Sequence, residues 1–426
     1  MVGMNTGLEG RRRRHDTAVF NPVTLDNGIQ VWVQKPSILT DAGGTLVVAL
    51  KNVGSQLDPK GALGTAHIFE HIPFRGTKRR SSTQAIQEPI EERGGSLNAE
   101  TEVISTKFMV DGLPAMDFDL GVETVSEMVV HPLMRKKDLE IERSVIGEEY
   151  KSSVNDPNNA LWWAVKKALF GDHPWGCRTI GDLNVIETIT TQELRQFHKD
   201  YYHAGNLHIV VGGGFAERDD ILEVAAKHFG ALPFHEPTAI PNFPLPFGRN
   251  GLVSIVEPRC TQENIVMVYP LEDTWDYDLL DFFTDFLGGA ITSPLVYELR
   301  VKRGLIYQDG ICFRWNYPGF RSFGVILQTP VGNYQECQEA YLRVLRDLSV
   351  GSIKKYQKNR QYRRQTYFTH TGSACHSAAW EIAYLGQQPM SCWEDEAHED
   401  ELTVEDVFKL RDHLLENEPL TCIITT

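Results

Sequence analysis

The stretch TTQELRQFHKDYYHAGNLHIVVGG, residues 190–213, runs from a polar, helix-patterned segment into a short apolar run closed by glycines. Residues 402–426, LTVEDVFKLRDHLLENEPLTCIITT, repeat that design. A helix delivered at once into a buried strand, met twice with a period of about 200 residues, has the spacing of a duplicated domain and not of a solenoid. Its 426 residues also exceed one ordinary core, so two units are expected.

The segments upstream of each copy agree. VTLDNGIQVWVQK (23–35) alternates around Asn27-Gly28 and predicts a hairpin. GTLVVALKNVG predicts an apolar strand, residues 82–93 a helix ended by Gly94-Gly95, and SLNAETEVISTKFMVDGL one or two strands. Helical patterns cover roughly 115–130, 136–153, 157–169 and 190–202. In the second half, strands at 251–257 and 263–270 lead to the apolar helix YDLLDFFTDFLGG and a helix near 293–303. LIYQDGICFRW and GFRSFGVILQT read as strands, followed by helices near 333–349, 352–371 and 373–386. Between the halves, ALPFHEPTAIPNFPLPFGRN has five prolines and no period, which marks a linker. The expected organisation is a mobile tail (1–22), a first domain (23–230), a linker (231–249) and a second domain (250–426). The fold class is α+β: two homologous domains, each a mostly antiparallel sheet packed against helices.

Composition narrows the function. A formal charge of −15 argues against nucleic acid as a partner. No run of 18 apolar residues exists to span a membrane, and the arginine-rich start has no apolar region of a secretory signal behind it. Seven cysteines without a C-x-x-C pair point to reduced thiols, hence to a cytoplasmic protein.

The chemistry concentrates in GTAHIFEHIPFRGT, residues 64–77. On a helix, His67 and His71 leave the same face, about 40° apart, with Glu70 beside them. Two imidazoles on one turn plus a carboxylate suit a catalytic zinc site, which normally has a third protein ligand. That ligand is sought in DLEIERSVIGEEYKSS, where Glu142 and Glu149 lie seven residues apart on one helix face. Glu148 points about 100° away from Glu149. The second half has no H-x-x-E-H, so only one half carries this site.

His67-x-x-Glu70-His71 followed by Glu142-Arg143-x5-Glu149 resembles the family of inverted-motif zinc peptidases that includes pitrilysin, insulin-degrading enzyme and mitochondrial processing peptidase. TLDNGIQVWV, GGSLNAET, HPWG and YYHAGNLHIVVGG are similar to that family too. The resemblance implies one Zn²⁺ per chain held by His67, His71 and Glu149, with Glu142 orienting a ligand imidazole and Glu70 as the base. It implies that Arg300 and Tyr307 contact substrate and support the transition state. Asn98 and Ala99 would lie on a sheet edge to which a peptide adds as a strand. Two such chains would pair around a chamber for unfolded peptides, as a homodimer or with a homologous second subunit. A dedicated processing peptidase, and a non-catalytic assembly protein of the same fold, are the rival readings. Pro73 and Pro89 depart from an uninterrupted helix pattern and are expected to perturb their local backbone.

Overall fold

The computed structural model describes residues 20–34, 43–241, 250–256, 261–308, 311–367, 371–385 and 402–425. The expected tail up to residue 19 and the linker from 242 to 249 lie outside the described residues. The chain forms two compact units. Among their helices are α1 (Thr65–His71), α2 (Thr83–Glu91), α3 (Lys136–Asn155), α4 (Pro157–Phe170), α5 (Thr191–Tyr201), α6 (Thr371–Trp380) and α7 (Val404–Glu416).

The first unit is built on strands β1 (Phe20–Thr24), β2 (Gln30–Gln34), β3 (Gly43–Lys51), β4 (Ser96–Thr101), β5 (Ser105–Pro114) and β6 (Leu207–Gly213). Their order in the sheet is β1-β2-β6-β3-β5-β4, with β2 and β6 parallel and the other pairs antiparallel. β1 and β2 form the hairpin around Asn27-Gly28, where Gly28 takes φ +88° and pairs Thr24 with Gln30. The run LVVAL in β3 is apolar at every position because both of its faces are buried. Leu46, Val48 and Leu50 join one core with Phe69, while Val47 and Ala49 join another with Trp32, Met109 and Val210. That second core is closed by Cys375, Ala378 and Ala379 of α6 together with Ile382 and Ala383.

The second unit repeats the plan. β7 (Gly251–Val256), β8 (Glu263–Leu271), β9 (Cys312–Tyr317), β10 (Phe320–Thr329) and β11 (Leu420–Thr425) are ordered β7-β11-β8-β10-β9. Five strands of the first sheet follow the same sequence of neighbours, and again the one parallel pair, β7 with β11, lies at the same place. The repeated stretches explain themselves here. Thr190 and Glu193 form a capping box at α5 and lead to β6; Thr403 and Asp406 form one at α7 and lead to β11. The expected fold class therefore holds.

Two helices are placed otherwise than their position in the chain suggests. α4, from the first half, belongs to the second unit, where Trp162 meets Phe313 and Trp315 edge-on. α6, from the second half, belongs to the first unit and lies on β3 and β6. The strand expected in LIYQDG is not formed at residues 305–308; β9 begins at Cys312. Leu305 and Ile306 are both buried, so the alternation that a half-buried strand requires is absent. The helix expected near 293–303 is one turn, Pro294–Val296, continued by a π-helical turn over Tyr297–Lys302. Among the described residues no helix is long and apolar enough to cross a membrane.

Candidate active site

α1 begins at Gly64, whose φ of +99° admits the turn into the helix. The Asp58 carboxylate accepts the amides of Gly64 (2.6 Å) and Ala66 (2.8 Å), satisfying donors that a helix start leaves open. The helix ends at His71 and tightens into a 3₁₀ turn, Ile72–Arg75, in which Pro73, lacking an amide hydrogen, ends the α-helical bonding that Ile72 still makes to the Ile68 carbonyl. Pro73 thus lies just beyond the histidines. Pro89 lies inside α2 near its end.

His67 and His71 stand one turn apart with ring centroids 4.7 Å from each other. α3 crosses them. Glu149 Oε1 lies 3.5 Å from His67 Nε2, and its Oε2 lies 3.6 Å from His71 Nε2. The three donor atoms fall within 4.8 Å of one another, a set that fits a zinc ion in chemistry and spacing. Glu142, two turns earlier on α3, is buried and accepts the Nδ1–H of His71 at 2.9 Å; in the neutral ring this leaves the Nε2 lone pair toward Glu149. Burial and the neighbouring His71 push the His67 imidazole down to about 3, so it is neutral, the form that ligates a metal. Its Nδ1 is buried with no hydrogen-bond partner among the described residues.

Glu70 is 7% exposed, and burial pushes its carboxyl up to about 6, opposed by the Thr101 hydroxyl and the His71 imidazole. Burial also raises Glu149, opposed by His71. Burial works against charge on His71, but the Glu142 hydrogen bond and the surrounding carboxylates outweigh it and raise that imidazole.

These groups line a cleft of about 550 Å³ whose other wall is β4, the edge strand of the first sheet. Asn98 and Ala99 lie on that strand, Asn98 exposed and Ala99 buried. Arg300 and Tyr307 belong to the second unit. Arg300 sits on the π-helical turn with its guanidinium 4.9 Å from the Tyr307 ring centre, and Tyr307 is 85% exposed. A π turn of this kind is common at functional positions. Phe74, Gln87, Glu100, Thr101 and Val145 also line the cleft, and sequence reasoning did not single them out. It also passed over Arg75, whose guanidinium pairs with Glu142.

The family description "Insulinase (Peptidase family M16)" matches residues 45–182, and "Peptidase M16 inactive domain" matches residues 188–361. An uncharacterized zinc protease of Mycobacterium leprae is 29% identical over 308 residues, covering 71% of this chain and 68% of that protein. An uncharacterized zinc protease of Streptomyces coelicolor is 26% identical over 303 residues, 69% of this chain, and the match spans 64% of that relative's length. A protease from Helicobacter pylori of solved structure superposes with a TM-score of 0.83 at 22% identity, covering 96% of this chain and 99% of that one, a likeness of fold. With the two M16 descriptions covering most of a duplicated α+β chain, the first of them over His67, His71 and Glu149, the chain belongs to peptidase family M16.

Proposed function

We propose that the chain is a zinc-dependent metalloendopeptidase that hydrolyses unfolded peptides or loose polypeptide segments. The observation that carries this reading is the Glu149 carboxylate spanning both Nε2 atoms, 3.5 and 3.6 Å away, with Glu70 on the intervening turn. His67, His71 and Glu149 would hold one zinc ion. When bound, zinc supplies Lewis acidity, polarising a peptide carbonyl and bringing the ionisation of water toward neutrality. Glu70 takes the proton from the attacking water and delivers it to the nitrogen of the departing amine. Glu142 holds the ring of His71. The exposed edge of β4, with Asn98 and Ala99, pairs with peptide backbone, which selects extended chains more than particular side chains. Tyr307 and Arg300 steady the developing oxyanion or the peptide backbone.

The working form in this reading is a dimer of two such chains in the cytoplasm, with Arg300 and Tyr307 serving the partner's site. The part described as an inactive domain, 188–361, contains none of the metal donors, so that description leaves residues 67–149 untouched. The test is Glu70→Gln in the full chain, with zinc content and cleavage of a quenched fluorescent peptide measured together. Equal zinc in both proteins with activity lower by about 10²–10⁴-fold in the variant is expected. A wild-type chain that takes up no zinc under metal-replete conditions overturns the reading. Cleavage at a single site of one protein, with unrelated peptides left intact, would instead mark a dedicated processing enzyme.

A further inference from the structure

We propose that Arg75 is a positioning residue of the metal site, acting through Glu142; the inference rests on the metal-site reading above. Glu142 is buried at 3% exposure, and its two oxygens have separate tasks. Oε2 accepts the Nδ1–H of His71 at 2.9 Å, and Oε1 is held by Nε of Arg75. The terminal torsion of a glutamate is broad, so one hydrogen bond leaves the carboxylate free to turn. A charged donor on the other oxygen fixes its plane, and through it the plane of the His71 ring.

Arg75 is itself anchored. Its backbone carbonyl accepts Nη2 of Arg135 at 2.8 Å, and Arg135 also donates to the Ser81 carbonyl at 3.1 Å. Nε of Arg135 pairs with Asp138, one turn before Glu142 on α3. The turn that follows α1 is therefore tied to α3 and its entry at two points, the Arg75 side chain to Glu142 and the Arg75 carbonyl to Arg135, which Asp138 holds at the start of α3. Because Glu149 lies two turns further along α3, the same ties set where its carboxylate meets His67 and His71. Arginine suits this position because one planar group can hold a carboxylate in a fixed direction, which the point charge of lysine does less well.

The experiment titrates zinc alone against a chromogenic chelator in the full chain, comparing wild type with R75M, R75K, E142Q and R75M/E142Q. The melting temperature of each metal-free protein is recorded beside it. R75M is expected to weaken zinc binding by about 10–100-fold with metal-free melting little changed, and R75K to recover part of that loss, remaining about 3–10-fold weaker than wild type. In the E142Q background, R75M is expected to add less than about threefold, because both act through one contact. Zinc affinity of R75M within about threefold of wild type, or losses that multiply in the double variant, overturns the proposal. If R75M does not fold, R75K decides, a loss of about 3–10-fold supporting the role and an unchanged affinity overturning it. A wild-type chain without zinc affinity is a different failure, since it removes the metal site as well as Arg75's part in it.

Discussion

Glu70 sits on the buried face of α1 at 7% exposure, and burial lifts its carboxyl to about 6 in the absence of metal. An unfolded glutamate titrates near 4.3, so between these values the native chain binds the extra proton. Glu70's contribution to the stability of the metal-free protein then falls as pH rises from about 4.3 to about 6, and the loss is complete above that. The difference amounts to about 2 kcal/mol. Glu70→Gln removes the charge while keeping the shape. The metal-free variant is therefore expected to be more stable than wild type at pH 7–8 by up to about 2 kcal/mol, and equal to it near pH 4. Denaturant unfolding at the two pH values checks this, and a variant less stable than wild type at pH 8 contradicts it. The residue proposed to move the proton is thus expected to weaken the empty fold that carries it.

At the scale of elements, the seat of α6 on the first sheet gives a second expectation. A Cβ built at Gly212 on β6 would lie 2.1 Å from Cys375 Sγ and 2.6 Å from Gln34 Oε1, and that Gln34 oxygen already accepts the Gly213 amide at 2.9 Å. Gly212→Ala should lower stability by about 1–3 kcal/mol in denaturant unfolding, and Cys375→Ala in the same chain should restore part of it. None of this seat was legible beforehand. The sequence pattern at 373–386 announces a helix with a face to bury, but every apolar face of that size looks alike, and nothing local says which sheet receives it. The same holds for α4. What was legible had local chemistry behind it: the Asn-Gly hairpin, the glycine end of α2, and the apolar β3. At the site, two histidines on one turn and two glutamates on one helix face could be read because the spacing is intrinsic to the helix. Arg75 could not, since its partner Glu142 is 67 residues away and an arginine after a helix has many ordinary uses. The π-helical turn under Arg300 buries Leu299 fully, and no residue pattern announces it.

Across the whole molecule, the metal donors all come from residues 67–149 of the first unit. Zinc held as proposed would bind that folded unit alone, so it should raise one thermal transition and leave the other in place. At zinc 100 times above its dissociation constant the gain is about 2.7 kcal/mol, a rise of several degrees for a unit of this size. Calorimetry of the full chain with and without a chelator reads it directly, and two transitions moving together would contradict it. The reciprocal placement of α4 and α6 also has a consequence in time. The first sheet gains its last strand at residue 213, yet the helix that closes its second face begins at residue 371. At ordinary rates of translation that interval lasts roughly 10–30 s. Through it, Val47, Ala49, Met109 and Val210 have no lid of their own. The nascent chain is therefore expected to show the ribosome's surroundings a half-finished sheet for that interval, an apolar surface of the kind that chaperones shelter.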